Sequence, residues 1–274
     1  MYPFRVGELD CAVVNDGDLL LPPEIILPPS RRDEWPPLEL DVRGFCALPM
    51  NCLLVRSRES TALIDTGNGT LPNKRWEGGG NLLHELLAAG VQPSDVDLVV
   101  LTHTHADHAG GATVLRDGRL VPTFPRARYV VPKADWDFYT APDRAAQLSF
   151  VRENLLPLAE FKVLDLVEGD SSVTPQISMV QAPGHTPGLS VVVVSSGNQT
   201  AIHLGDLVHH RAQFEKPDLV RDDDVLPDLA PRSRERIGQL ALERDALVVA
   251  MHEAYPGLGR LARDNGRILF RPLG

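Results

Sequence analysis

The segment Leu101-Thr-His103-Thr-His105-Ala-Asp107-His108-Ala-Gly110-Gly111 sets three imidazoles and a carboxylate within six positions. Each of these groups is costly to bury unpaired, so packing does not account for the cluster, whereas metal coordination does. His103 and His105 are separated by one residue on an extended strand exit, so both rings project to the same side and can grip one cation. Asp107 and His108 come after the chain has begun to turn and would face a second cation beside the first. Gly110 and Gly111 let the backbone pass close behind the site. Three further candidates follow apolar runs and precede turns: His185 in Ala-Pro-Gly-His-Thr-Pro-Gly, Asp206 in His-Leu-Gly-Asp, and His252 in Val-Val-Ala-Met-His-Glu. Strand ends of this kind are where α/β scaffolds present ligands. A two-metal site needs about six or seven donors, one carboxylate often bridging, and these residues complete the set.

The elements that must position them alternate strand and helix. Strands are expected at 4–14, 52–64, 96–101, 127–131, 161–166, 177–181, 189–194, 201–204 and 246–250. Helices are expected at 82–89, ended by Gly90, and at 134–140, 145–158 and 232–242. The order predicts an α/β protein of sheets covered by helices rather than a simple doubly wound sheet. Between Pro22 and Pro37 three Pro-Pro pairs exclude regular helix and central strand and predict a stiff, extended loop. Such a loop, at about residues 20–40, serves as a surface excursion, a wall of a binding site or an arm facing a partner.

Length and composition, 274 residues with 43% hydrophobic and 23% charged, allow a full core. No composition shift marks a boundary, so a single domain over 1–274 is expected. A formal charge of −10 repels polyanions, which argues against nucleic acid as partner. Cys11, Cys46 and Cys52 form no even-numbered framework and no CxxC pair, consistent with reduced, buried thiols. The first residues, MYPFRVGELDC, lack a basic segment followed by an apolar stretch, and no apolar run approaches the roughly 18 residues of a membrane span. The expectation is a soluble, cytoplasmic protein with no membrane partner.

The motif HTHADH, with Asp65-Thr-Gly67 upstream and Gly184-His185-Thr, Gly205-Asp206 and His252 downstream, resembles the metallo-β-lactamase superfamily over residues 60 to 255. That resemblance implies an αββα four-layer sandwich of two mixed sheets flanked by helices, with a dinuclear site at one edge. It implies that His103, His105 and His185 bind the first metal, that Asp107, His108 and His252 bind the second, and that Asp206 bridges. Asp65 would orient the ligand loops from behind. The metals would be zinc, with iron, cobalt or manganese as alternatives, holding a bridging water whose pKa falls from 15.7 toward ~7. The resulting hydroxide would attack an ester or lactone carbonyl or a phosphotriester, and Asp107 would shuttle the proton to the leaving group.

Departures from the superfamily's branches narrow the reading. The di-zinc β-lactamases place a Cys in the second metal site, whereas every Cys here precedes residue 53. Flavo-diiron proteins carry Glu where this chain has His105, which favours hydrolysis over redox or non-catalytic roles. Glyoxalase II adds a helical C-terminal domain, and only residues 253–274 follow His252, which weakens a thioesterase reading. Residues 117–136 and the long portion before Asp65 resemble the lactonase and methyl-parathion-hydrolase-like branch. That branch implies an N-acyl-homoserine lactonase active in quorum quenching, with arylesterase and phosphotriesterase promiscuity, and a homodimer capped by the Pro-rich arm. Homoserine lactonases carry a Tyr three residues after the bridging Asp, where it bonds the substrate carbonyl; here that position is His209, which can do the same work or be a surface residue. The substrate pocket is expected to be apolar, with Met50, Trp76, Trp136 and Phe138 as candidates. His84 and His203 are assigned to surface or packing.

Overall fold

The computed structural model describes residues 1–71 and 78–273, so Trp76 lies outside the described residues. Sixteen strands are present among them: β1 (Tyr2–Val6), β2 (Leu9–Leu21), β3 (Cys46–Arg56), β4 (Thr61–Ile64), β5 (Leu98–Val100), β6 (Thr113–Arg116), β7 (Arg119–Pro122), β8 (Arg128–Pro132), β9 (Leu164–Val167), β10 (Ser171–Ser172), β11 (Ile177–Gln181), β12 (Ser190–Ser196), β13 (Gln199–His203), β14 (Leu247–Val249), β15 (Leu258–Asp264) and β16 (Arg267–Pro272). The helices are α1 (Leu82–Ala88), α2 (Ala106–Ala109), α3 (Lys133–Thr140), α4 (Pro142–Gln147), α5 (Leu156–Glu160), α6 (Ala212–Glu215) and α7 (Ala230–Glu243). One seven-stranded sheet has the order β1-β2-β3-β4-β5-β8-β9, and a second runs β10 through β16 in sequence order. The first is antiparallel up to β4 and parallel from β4 through β9. The second is antiparallel except for the parallel pair β13 and β14.

Strand pleat explains how the layers stack. On β12 the run Val191–Val194 alternates: Val192 and Val194 enter the core between the sheets, and Val191 and Val193 enter the core shared with Phe214 of α6 and Ile237 of α7. On β3, Leu53 and Val55 face the second sheet, while Cys52 and Leu54 face the core that holds Leu82 and Leu86 of α1. Strands buried on both faces read as continuous apolar runs, which is why these segments were visible in sequence. The result is helices, sheet, sheet, helices: the αββα sandwich expected above.

Several boundaries differ from expectation. The 4–14 run is a hairpin, not one strand, because Gly7 takes a positive φ of 56° and turns the chain between β1 and β2. The 52–64 run splits at a turn in which Ser57 N donates to Ser60 O at 2.9 Å. The expected helix 145–158 is broken into α4, a π-helical turn at Val151–Leu155, and α5, with Pro157 in the first turn of α5, where its missing N–H costs nothing. The hairpins β6–β7 and β15–β16 were not foreseen. The Pro-rich arm is not wholly extended: two short 3₁₀ turns, Pro23–Ile25 and Pro29–Glu34, each start on the second proline of a pair. Proline is preorganised for a first helical turn and fails only deeper in. The arm is pinned to the body by Arg31, which bonds Glu34 Oε1 at 2.6 Å and Asp218 Oδ2 at 2.8 Å. Cys11, Cys46 and Cys52 are free and buried, as expected. Among the described residues no helix is long and apolar enough to cross a membrane.

The sandwich core should respond as a close-packed interior. Leu53→Ala, at a fully buried position between the sheets, is expected to cost about 2–5 kcal/mol in urea unfolding. Val42→Ser, at an exposed position between the arm and β3, should be indistinguishable from wild type in the same measurement.

Candidate metal centre

Four chain segments converge at one edge of the sandwich. After β5 the chain bends at Thr102 and His103 rather than leaving the strand fully extended; His105 is extended, with φ −63° and ψ 157°, and α2 begins at once, carrying Asp107 and His108. Gly110 and Gly111 close this turn; a Cβ on either would strike the backbone of Asn68 or Thr66, so the tight passage behind the site needs glycine. His185 lies in the connection from β11 to β12, Asp206 in the 3₁₀ turn Gly205–Leu207 after β13, and His252 just after β14.

The structure brings these donors together in two groups that share a carboxylate: His103, His105, His185 and Asp206, and Asp107, His108, His252 and Asp206. Asp206 Oδ1 lies 2.8 Å from His108 Nε2 and 2.9 Å from His252 Nε2. Its Oδ2 lies 3.1 Å from His185 Nε2 and 3.6 Å from His103 Nε2. Asp107 Oδ2 stands 3.8 Å from His108 Nε2 and 3.7 Å from His252 Nε2. The Nε2 atoms of His103, His108 and His252 and Oδ1 of Asp206 are buried without a hydrogen-bond partner. Orphaned buried donors and acceptors facing a common point are unstable as an all-protein arrangement and fit a pair of cations.

The far side of each imidazole is held as metal ligands require, since a fixed partner on one ring nitrogen aims the other. His108 Nδ1 lies 2.7 Å from Asp65 Oδ2, and Asp65 also accepts from Thr102 N and Thr102 Oγ1, each at 2.8 Å. His185 Nδ1 lies 2.9 Å from Asp224 Oδ1. His252 Nδ1 donates to Pro49 O at 2.7 Å. His105 is turned the other way: its Nε2 meets Tyr139 Oη at 2.7 Å, so Nδ1 faces the centre. Burial pushes the His105 imidazole down to about 3 and His103 well below its usual value, keeping both neutral and able to ligate. At His185 burial acts the same way but Asp206 and Asp224 override it, raising the ring to about 9.

A cavity of about 510 Å³ opens onto the centre. Asp107, His105, His185, Asp206 and His209 form its floor; Leu19, Leu21, Ile25, Leu48, Leu71 and Phe150 give it an apolar side, but Asn68, Gln147, Ser149, Glu153, Asn154, Arg221 and Asp223 also line it, so the wall is more polar than expected. Ile25 belongs to the Pro-rich arm, which therefore supplies a wall of the site. A second cavity of about 910 Å³ lies under the arm and shares Leu48 and His209 with the first.

The aromatic and Met candidates fare differently from the ligands. Met50 is fully buried in the core beneath the first sheet and lines neither of these cavities. Trp136 and Phe138 sit on α3, partly buried against that same core, and Phe138 is covered by the Arg144 guanidinium at 3.7 Å; neither lines the two cavities. Their apolar side chains pack into the core, and branched aliphatic residues of β2, β3 and the arm take part of the cavity wall instead. His209 is buried, not on the surface: its Nε2 lies 2.9 Å from Asp206 Oδ2, its ring stacks on His252 at 5.4 Å, and Nδ1 has no partner. Burial, reinforced by Arg221, lowers His209 to about 3. His203 is a packed residue bonded to Asn51 O at 2.9 Å, and His84 is exposed. Sequence reasoning missed Tyr139, Asp224, Arg221 and the Pro49 carbonyl. The string Arg221-Asp-Asp-Asp224 was the available signal, an acidic run too close to an Arg to be merely solvated.

The comparisons agree with this geometry. A model described as the metallo-beta-lactamase superfamily matches residues 47–252. An N-acyl homoserine lactonase from a Bacillus species is 26% identical over 227 residues, spanning 75% of this chain and 82% of that protein. The solved structure of AidC, described as a dizinc quorum-quenching lactonase in complex with a product, N-hexanoyl-L-homoserine, superposes with a TM-score of 0.81 at 25% identity, covering 99% of this chain and 97% of that one. The hydrolase AbOPH superposes with a TM-score of 0.84 at 23% identity, covering 100% and 97%. Fold, donor set and relatives define a metal-dependent hydrolase. The chain belongs to the metallo-beta-lactamase superfamily.

Two carboxylates that touch no substrate should matter for metal retention. Asp65→Ala and Asp224→Ala, which release His108 and His185 respectively, are each expected to weaken metal binding by about ten- to a hundredfold. Competition against a chelating indicator reads this, and wild-type affinity in both variants would contradict the geometry.

Proposed function

We propose that the protein hydrolyses the ester bond of a lactone of the N-acyl-homoserine type, acting as one domain over residues 1–274. Two observations of different kinds support the reading: relatives named N-acyl homoserine lactonase, and a cavity of about 510 Å³, part aliphatic and part polar, whose floor is the shared carboxylate and its imidazoles. The cavity is the observation that carries it, because its volume and the aliphatic part of its wall suit a small ring with an acyl chain.

In this reading His103, His105 and His185 hold one divalent ion, Asp107, His108 and His252 hold the other, and Asp206 serves both. Zinc suits an imidazole-rich set with few carboxylates, and iron, cobalt and manganese are the alternatives. When bound, the ions supply Lewis acidity that lowers the pKa of water and polarises a carbonyl. Asp107, whose side chain is 22% exposed and lines the cavity, takes the proton of the attacking water and passes it to the departing ring oxygen. His209 lines the same floor and is assigned the contact to the substrate carbonyl in place of the lactonases' Tyr. The product is the open-chain hydroxy acid. The arm, through Ile25, keeps water from the acyl chain; the arm is also the candidate for covering a second copy of the chain.

His105→Ala should lose metal and turnover together, and chelation should abolish turnover until metal is returned; an active, metal-retaining variant would remove the assignment. His209→Phe should lower kcat/KM on the order of a hundredfold at unchanged metal content, with His209→Tyr recovering part of it. In a panel of N-hexanoyl-homoserine lactone, p-nitrophenyl acetate, paraoxon and S-lactoylglutathione, the lactone should have the highest kcat/KM. A tenfold preference for the triester or thioester would overturn the substrate class.

A further inference from the structure

Arg221 is 7% exposed, yet it lines the metal cavity together with Asp223. Asp223 grips one edge of the guanidinium, accepting from Nε at 2.8 Å and from Nη2 at 2.7 Å. A guanidinium carries five N–H donors, and no other side-chain bond of Arg221 is made among the described residues, so both donors of Nη1 are unspent. The Nη1 donors are not sealed in the interior, so they are open to whatever occupies the cavity.

The position of this side chain is fixed by the metal centre itself. Arg221 N donates to Asp224 Oδ2 at 3.2 Å, and the other oxygen of Asp224 holds the His185 ring at 2.9 Å. The backbone continues the tie: Val225 N donates to His185 O at 3.1 Å and Leu226 N to Gly184 O at 2.8 Å. The loop that carries Arg221 is thus laced to the loop that carries a ligand, and a donor held this rigidly is preorganised for recognition. The Asp223 carboxylate, with its side chain 59% exposed, balances the charge of the pair. A balanced pair selects against a free phosphate or carboxylate and favours a neutral oxygen acceptor.

We infer that Arg221, clamped by Asp223, is a specificity-determining residue that bonds a second carbonyl of the substrate, so the preferred lactones carry an amide on the ring rather than a plain alkyl chain. The inference rests on the lactone reading above and names the feature that the substrate must add to its ring.

The test compares N-hexanoyl-homoserine lactone with γ-decalactone, which has an alkyl chain but no amide, on metal-loaded wild type, Arg221→Met and Arg221→Gln. The ratio of their kcat/KM values should fall on the order of ten- to a hundredfold in both variants, mainly through KM. A ratio unchanged from wild type in either folded variant overturns the inference and leaves the lactone reading standing. A second arm needs no turnover: calorimetry with N-hexanoylglycine and nonanoate, two carboxylates of similar length, of which the first alone has an amide. Wild type should prefer N-hexanoylglycine by about tenfold and the variants should not; no preference in wild type, or one retained in the variants, overturns the assignment. Were wild type to cleave neither lactone, the lactone reading would fall and this arm would still decide Arg221.

Discussion

One buried carboxylate organises the molecule. Asp206 is 3% exposed, and its two oxygens face the Nε2 atoms of five imidazoles: His108 and His252 on one side, His103, His185 and His209 on the other. Bases and acids at this density cannot all be satisfied by one another: five imidazoles compete for two carboxylate oxygens, and burial lowers His103 and His209, which then bring lone pairs as well as N–H groups. Cations held at the two foci would convert that conflict into cohesion, and the free energy of binding them would become part of the free energy of the fold.

The sandwich supplies what such a centre demands, which is rigidity from several directions. Parallel strands β4, β5 and β8 of the first sheet stop at the same edge, as do β13 and β14 of the second, so side chains just past their ends meet. Asp65, at the end of β4 and with a φ of 57°, reaches across to Thr102 and His108; the strain is small for an Asp and the reward is a fixed ring. Tyr139, Asp224 and Pro49 O do the same for His105, His185 and His252 from three other elements. The partners that aim the ligands are therefore spread over the whole chain, and a disturbance in any layer can reach the metals.

The legibility of the sequence followed the distance over which each feature is defined. HTHADH was readable because its geometry is local: four donors within six positions need only a short bend and one helical turn to meet. The four-valine run 191–194 was readable because burial on both faces removes polar residues from a strand. The cavity walls were not, since Leu19, Leu48 and Ile25 look like any strand or arm residue until the sheet and the arm are folded over the centre. Met50, Trp136 and Phe138 misled for the same reason: a large apolar side chain near a motif in sequence is as well suited to core as to cavity, and only packing chooses.

Residue type and spacing by themselves determined the chemistry, because imidazoles and carboxylates at these intervals have no other economical use, and with it the layered fold that the superfamily resemblance implied. Tertiary structure alone decided how His209 is used, turning what could have been a surface residue into a buried neighbour of Asp206. It also decided that Arg221 points a partly spent guanidinium toward the cavity and that Asp224, far along the chain, aims His185. Those outcomes depend on contacts between segments that the chain brings together only when both sheets close, and no local pattern encodes the meeting of distant loops.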